Sequence, residues 1–360
     1  MTESSGDILF ERRGAAGIVI LNRPKALNAL TRDMVGALDL HLKKWEADRA
    51  VTRVVLIANG ERAFCAGGDI RALYDLGRAG KQQEAFGFFR EEYALNTYIK
   101  RYPKPYVSLI DGMVMGGGVG ISSHGSHRVA FERYAFAMPE VSIGFFPDVG
   151  GTYVLSRMPG EIGTFCALTG NRLDAADAML SQVATHYAGG ESRAELLEAL
   201  CGNEPVNAIL SAFIAAPGPG IVMPRRHAID RLFAYDRVED ILAALDREAA
   251  SGSTDADFAA ETARNIRTKS PTSLKVALAQ MRFGRNHSFE DCMRLEFRIT
   301  SRMLYGHDLY EGVRAVIVDK DNKPVWQPDT LSALSEREIA SYFAPLREHA
   351  RLKEDELVLT

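Results

Sequence analysis

Hydrophobic positions follow one pattern over roughly the first 150 residues and another beyond. Three short apolar runs, at 17–21, 54–58 and 106–110, are unbroken and rich in Val and Ile, as expected of strands buried on both faces. Between the first two, Met34, Val35, Leu38, Leu42 and Trp45 recur at helical spacing. That spacing predicts a helix over 33–45, with Thr31 as its N-cap. Strand alternating with helix predicts an α/β arrangement.

Beyond about Gly150 no comparable strand run recurs until 315–318, and the intervening sequence reads as successive amphipathic helices. They are expected over 228–233, 238–249, 255–267, 272–281 and 289–303. Ser270 and Pro271 read as an N-cap followed by proline at the first helical position. Pro217, Gly218, Pro219 and Gly220 mark a loop or boundary. The chain is therefore expected to comprise a core over 1–205 and a helical region over 206–360, without internal repeats or low-complexity tracts.

Composition narrows the class. A chain of 360 residues can form one enlarged domain or two. Hydrophobic residues at 46% and charged ones at 25% are ordinary for a globular protein, and a net charge of -4 supplies no basic footprint for nucleic acid. Cys65, Cys166, Cys201 and Cys292 lack paired spacing, which argues against a disulfide framework and a zinc cluster and for a reducing compartment. Residues 1–8 are acidic and polar, without the pattern of an export or organelle signal. No apolar run is long enough to span a bilayer. These features predict a cytoplasmic protein with neither a membrane nor a nucleic-acid partner.

Three segments carry candidate chemistry. Ala66, Gly67, Gly68, Asp69 and Ile70 follow the second strand run and precede a helical stretch, where glycines leave N–H groups open to a ligand. The plain alternative is a tight turn with Asp69 as N-cap. Gly116, Gly117, Gly118 and Gly120 follow the third strand run, and a glycine run opening a helix can hold an anion or oxyanion. It is not the dinucleotide fingerprint, since Ile121 stands at its last glycine, and it is no nucleophile elbow, since His124 stands where that motif needs glycine. In the third segment, Glu140 and Asp148 lie among Phe, Pro, Val and Gly. An apolar pocket raises a carboxyl pKa, so both are candidate acid–base or nucleophilic groups. The competing readings are a surface Glu140 and an Asp148 that caps a helix over 149–158.

These segments, in this order and preceded by Asn22-Arg23-Pro24-Lys25-Ala26-Leu27-Asn28-Ala29-Leu30, resemble the crotonase (enoyl-CoA hydratase/isomerase) superfamily. The resemblance extends to its thioester-hydrolase branch through Phe89-Arg90-Glu91-Glu92-Tyr93, Tyr102-Pro103-Lys104-Pro105-Tyr106, Met115 to Gly120, Phe145 to Gly151, Gly306-His307-Asp308 and Glu311 to Ala315. It covers nearly the whole chain. It implies a spiral of strand–strand–helix turns with a helical C-terminal extension, and an acyl-CoA substrate.

By the same resemblance, the N–H groups of Gly68 and Gly117 form an oxyanion hole, Glu140 and Asp148 are catalytic, and Glu92 meets the substrate's 3-hydroxyl. Lys25, Ala26, Leu27, Ala66 and Ile70 line the coenzyme A channel. Hydratases carry a second glutamate where this chain has Gly120, which cannot transfer a proton. The resemblance therefore implies hydrolysis of a short 3-hydroxyacyl-CoA such as 3-hydroxyisobutyryl-CoA, a step of valine breakdown, with no metal or redox cofactor. Two rivals stand beside it: an enoyl-CoA hydratase or isomerase, and a non-catalytic acyl-CoA binder. Relatives of this fold assemble through their C-terminal helices, so a homo-oligomer is an open expectation. A Cys65 nucleophile served by His124 or His127 is disfavoured, because nothing in the sequence orients either histidine. Gly306, His307, Asp308 and Arg314 are expected to be structural.

Overall fold

A computed structural model describes residues 3, 4, 6–348 and 355–359. Met1, Thr2 and Ser5, part of the segment expected to carry no targeting signal, lie outside the described residues. Ten strands follow in chain order: β1 (Glu3–Ser4), β2 (Ile8–Arg13), β3 (Ala16–Leu21), β4 (Arg53–Ala58), β5 (Ala63–Cys65), β6 (Tyr106–Ile110), β7 (Met113–Met115), β8 (His127–Ala130), β9 (Ala135–Ala137) and β10 (His186–Tyr187). They form a large sheet in the order β1-β2-β3-β4-β6-β8-β10 and a small one in the order β5-β7-β9.

From β4 to β9 successive strands alternate between the two sheets, and their neighbours within each are parallel. Each turn of the chain thus adds one strand to each sheet, which is the spiral of the crotonase fold. Along β4, Val54 and Leu56 enter one buried cluster and Val55 another on the opposite face. Burial on both faces is why the strand runs read as continuous apolar stretches.

Within and around the spiral lie α1 (Arg32–Ala47), α2 (Ile70–Arg78), α3 (Gln82–Lys100), α4 (Gly117–Ser122), α5 (Gly151–Leu155), α6 (Ile162–Thr169), α7 (Ala175–Leu180), α8 (Arg193–Cys201) and α9 (Val206–Phe213). The helical region contains α10 (Arg226–Leu232), α11 (Val238–Ala249), α12 (Ala256–Arg267), α13 (Pro271–Gly284), α14 (Phe289–Met303), α15 (Asp308–Val313) and α16 (Glu336–Phe343). Thr31 caps α1 and Ser270 caps α13 as expected, each side chain accepting a backbone N–H three residues on. Helices α11 and α14 have the expected bounds, and the other four expected ones begin and end within a turn of theirs.

The C-terminal helices pack directly on the spiral, α13 against α5 and α6, and α14 against α3 and α5. A single buried cluster runs from Ile8 to Leu357. No helix of the described residues is long and apolar enough to cross a membrane.

The apolar run 315–318 is not a strand. It lies in a π-helical turn, Arg314–Val318, that continues α15 and closes with Asp319 N–H donating to the Arg314 carbonyl at 2.8 Å. β-branched residues suit either structure, and with no strand beside this segment its backbone bonds within itself.

Candidate active site

The first candidate amide is set by a bridge between chain segments. Leu30 N–H donates to the Gly67 carbonyl and Asp69 N–H donates to the Leu30 carbonyl, both at 2.8 Å. In such a parallel bridge the intervening Gly68 N–H points the other way, into the cavity side. Gly67 has φ 115°, a conformation that favours glycine. Asp69 caps α2, accepting Ala72 N–H, and pairs with Arg23 at 3.2 Å, so the capping reading of Asp69 holds alongside the open amide.

The second amide, Gly117 N–H, opens α4 and has no intrahelical partner. A Cβ added to Gly117 would lie 3.2 Å from Gly68 N and 2.6 Å from Glu92 Oε1. The two open amides therefore face one small volume, which glycine alone leaves free. Gly118 is held as tightly: a Cβ there would meet the Cys65 carbonyl oxygen at 2.5 Å.

Three carboxyls line the same cavity of about 260 Å³. Glu140 begins a 3-10 turn after Pro139, and Glu92 faces in from α3. Glu140 is buried, not on the surface, and its Oε2, like Glu92 Oε1, has no hydrogen-bond partner among the described residues. Asp148 does not cap the following helix; its Oδ2 accepts the Tyr93 hydroxyl at 2.8 Å, and that hydroxyl also bonds Thr300 at 2.8 Å. Burial, then the neighbouring Asp148 charge, pushes Glu140 and Glu92 well above the usual carboxylate range. Burial pushes Asp148 up to about 7, with the Tyr93 hydrogen bond pulling the other way.

Ala66 and Ile70 line the cavity, whereas Lys25, Ala26 and Leu27 do not. The latter form a turn at its edge, where the Leu27 carbonyl accepts Ala66 N–H at 3.0 Å. Cys65 is buried, donates to the Asn28 carbonyl and is pushed up to about 12 by burial. His124 bonds the Val149 carbonyl at 2.6 Å and burial lowers it to about 3, while His127 bonds Ser126 and Asn207. Neither histidine serves the thiol. Asp308 accepts the Ser270 hydroxyl and Gln327 N–H, and Arg314 pairs with Glu311, Asp319 and Asp321. Among the described residues no cluster of His, Cys, Asp and Glu could hold a metal ion.

Several residues of the site carry no role in the sequence reading. Glu296, fully buried on α14, accepts Gly150 N–H at 2.7 Å and Thr152 N–H at 2.8 Å and so pins the chain just after Asp148. Burial raises it to about 8, against the pull of those bonds. Its signal is an acid inside the apolar stripe Phe289, Met293, Glu296, Thr300, Met303. Asn96, one turn beyond Glu92 on α3, is fully buried with both amide atoms unpartnered. A Cβ on Gly120 would meet those atoms at 2.8 and 2.9 Å. The space beside Gly120 is thus already filled.

Spiral fold, facing amides and buried carboxyls meet in a chain that belongs to the enoyl-CoA hydratase/isomerase family, whose profile matches residues 16–343. Among curated proteins it is 43% identical over 357 residues to the "3-hydroxyisobutyryl-CoA hydrolase, mitochondrial" of Danio rerio, covering 96% of this chain and 92% of that one. To the protein of the same name from Homo sapiens it is 40% identical, covering 96% and 90%. The crystal structure of a carnitinyl-CoA dehydratase from Mycobacterium thermoresistibile superposes with a TM-score of 0.90 at 42% identity over 98% of each chain.

The names of the curated relatives overturn the expectation of a cytoplasmic protein and point to the mitochondrion. Reduced cysteines and a near-neutral charge fit any reducing compartment, and a folded core does not record which one it occupies.

Proposed function

We propose that the protein hydrolyses the thioester of 3-hydroxyisobutyryl-CoA, and that of 3-hydroxypropionyl-CoA, to the free hydroxy acid and coenzyme A, a step of valine breakdown. The observation that carries this reading is an exchange of carboxylates. The side-chain space beside Gly120 is taken by Asn96, while Asp148 joins Glu140 in the cavity beneath the two open amides.

The Gly68 and Gly117 N–H groups polarise the thioester carbonyl and hold the oxyanion of the tetrahedral intermediate; one such donor is typically worth about 3–4 kcal/mol. A Glu140 oxygen either attacks the carbonyl carbon, expelling the CoA thiolate and leaving a mixed anhydride that water cleaves, or takes a proton from the water that attacks directly. Asp148 relays a proton of that water to the released thiolate, so that both products leave with their protons accounted for. Glu92 meets the 3-hydroxyl. Neither route uses a metal or a redox cofactor.

Addition of water to the double bond of an enoyl-CoA, or the reverse loss of water from a hydroxyacyl-CoA, is the alternative suggested by the superposed dehydratase. Gly120 weighs against it, because glycine has no side chain with which to transfer a proton. A non-catalytic binder would gain by losing buried ionisable groups, whose desolvation is costly. Purified protein should release free thiol from 3-hydroxyisobutyryl-CoA and 3-hydroxypropionyl-CoA and barely hydrate crotonyl-CoA. Efficient loss of enoyl absorbance with no thiol released would sink the hydrolase reading. Binding without either activity would favour the non-catalytic one.

A further inference from the structure

The cavity that holds the carboxyls and a neighbouring one of about 240 Å³ share two lining side chains, Leu73 and Phe88. Those two side chains are the partition between them. Beyond it, Leu30, Ala72 and Leu76 give the second cavity apolar walls, and Arg32 and Glu84, whose side chains are about half exposed, mark its solvent end.

The partition stands at one end of a row. Phe88, Glu92 and Asn96 follow at four-residue intervals on α3 and so share a face. Glu92 Oε1 lies beside Gly117, and the Phe88 ring comes within 3.5 Å of where a Cβ on Gly68 would be. Phe88 and Glu92 of this row line the cavity beside the two glycines, so an acyl group whose thioester carbonyl lay between those glycines would have the row as one wall of its path. In the Asn96 direction the space is closed, since Asn96 is fully buried and packed against Gly120. In the Phe88 direction there is room, but only past Phe88 and Leu73.

We propose that Phe88 and Leu73 are the stop that restricts the substrate to short acyl chains, and that the second cavity is the space a longer chain enters once they are trimmed. The inference rests on reading the main cavity as an acyl-CoA site and adds which side chains set its chain-length limit. A rigid apolar wall excludes extra methylenes by overpacking.

The test compares kcat/KM for 3-hydroxyisobutyryl-, 3-hydroxyhexanoyl- and 3-hydroxyoctanoyl-CoA in the wild type, Phe88→Ala and Leu73→Ala. The wild type should fall steeply with length, and Phe88→Ala should raise the long-to-short ratio roughly tenfold or more, the scale on which pockets discriminate a methylene. Leu73→Ala should move it the same way and serves if Phe88→Ala, which also loses the edge contact of Phe88 with Phe89, does not fold. An unchanged ratio in the folded variants, or one common factor for all three esters, overturns the proposal; the latter would place Phe88 against the coenzyme A arm. Kd values measured by calorimetry in a Glu140→Gln background keep the two readings apart. A length-dependent gain in affinity supports the stop even if no ester yields thiol, and a length-independent one removes it even if all of them do.

Discussion

Glu92, Glu140, Asp148 and Glu296 are four carboxyls whose pKa values rise, burial being the leading cause for each. For Asp148 the ordinary value of 3.8 becomes about 7. Between the two, the folded chain holds a proton that the unfolded chain has lost, so stability falls as pH rises from about 4 through about 7. Asp148→Asn should therefore raise Tm at pH 8 and change it little at pH 4, as read by thermal melts at both. With ionised Asp148 as the working form, kcat/KM should climb as pH rises through about 7, with an apparent pKa that belongs to the group of carboxyls. Glu140→Gln and Asp148→Asn should each lower kcat by roughly a hundredfold or more with ester binding kept. Near wild-type turnover in either removes that residue from the chemistry. At this scale the sequence was informative where chemistry and setting disagree: acids among Phe, Pro and Gly marked Glu140 and Asp148. Asn96 stayed hidden because its meaning depends on Gly120, a neighbour in space that no spacing reveals.

The elements that matter most are a strap and the helices that hold it. Pro147 to Thr152 is gripped at its Pro147 carbonyl by Gln280 from α13, at the Asp148 carboxyl by Tyr93 from α3 and at the Val149 carbonyl by His124. Glu296 from α14 takes two of its amides. Val149 sits at φ 51°, an unfavourable conformation for a β-branched residue, so the strap keeps its shape only while these grips persist. In Glu296→Gln one end of the side chain becomes a donor facing an N–H, leaving one strap amide unpaired at about 1–3 kcal/mol. That variant should lose roughly tenfold or more in kcat with little change in KM, together with a lower Tm. A lowered Tm with unchanged kcat would make Glu296 purely structural. Gly117→Ala, whose Cβ would press on Glu92 Oε1 and Gly68 N, should abolish most turnover with the fold intact. The long helices were legible by their helical period and the fully buried strands by their unbroken apolar runs. The short strands β5, β7 and β9 were not, since three residues cannot display one, and 315–318 misled because β-branched residues signal a strand only when a neighbouring strand exists.

For the whole molecule, the buried cluster that joins spiral and helical region is the relevant unit. Even the end of the described chain takes part: Leu357 is buried, Glu356 pairs with Arg298 on α14, and the Asp355 carbonyl accepts Arg90 on α3. Leu357→Ala should thus cost about 2–5 kcal/mol, measured by urea unfolding, because it opens a cavity in that buried cluster. The strap, made early in the sequence, is held by side chains made more than a hundred residues later. On a ribosome that order becomes an order in time. The two open amides, Glu140 and Asp148 emerge first, together with Tyr93 and His124, but Gln280, Glu296 and Thr300 follow only more than a hundred residues later, so a nascent chain lacking them has a strap held at two points instead of five. A fragment ending before α13 should therefore release thiol from acyl-CoA far more slowly than the full chain, so that thioester cleavage waits for the helices that complete the grip.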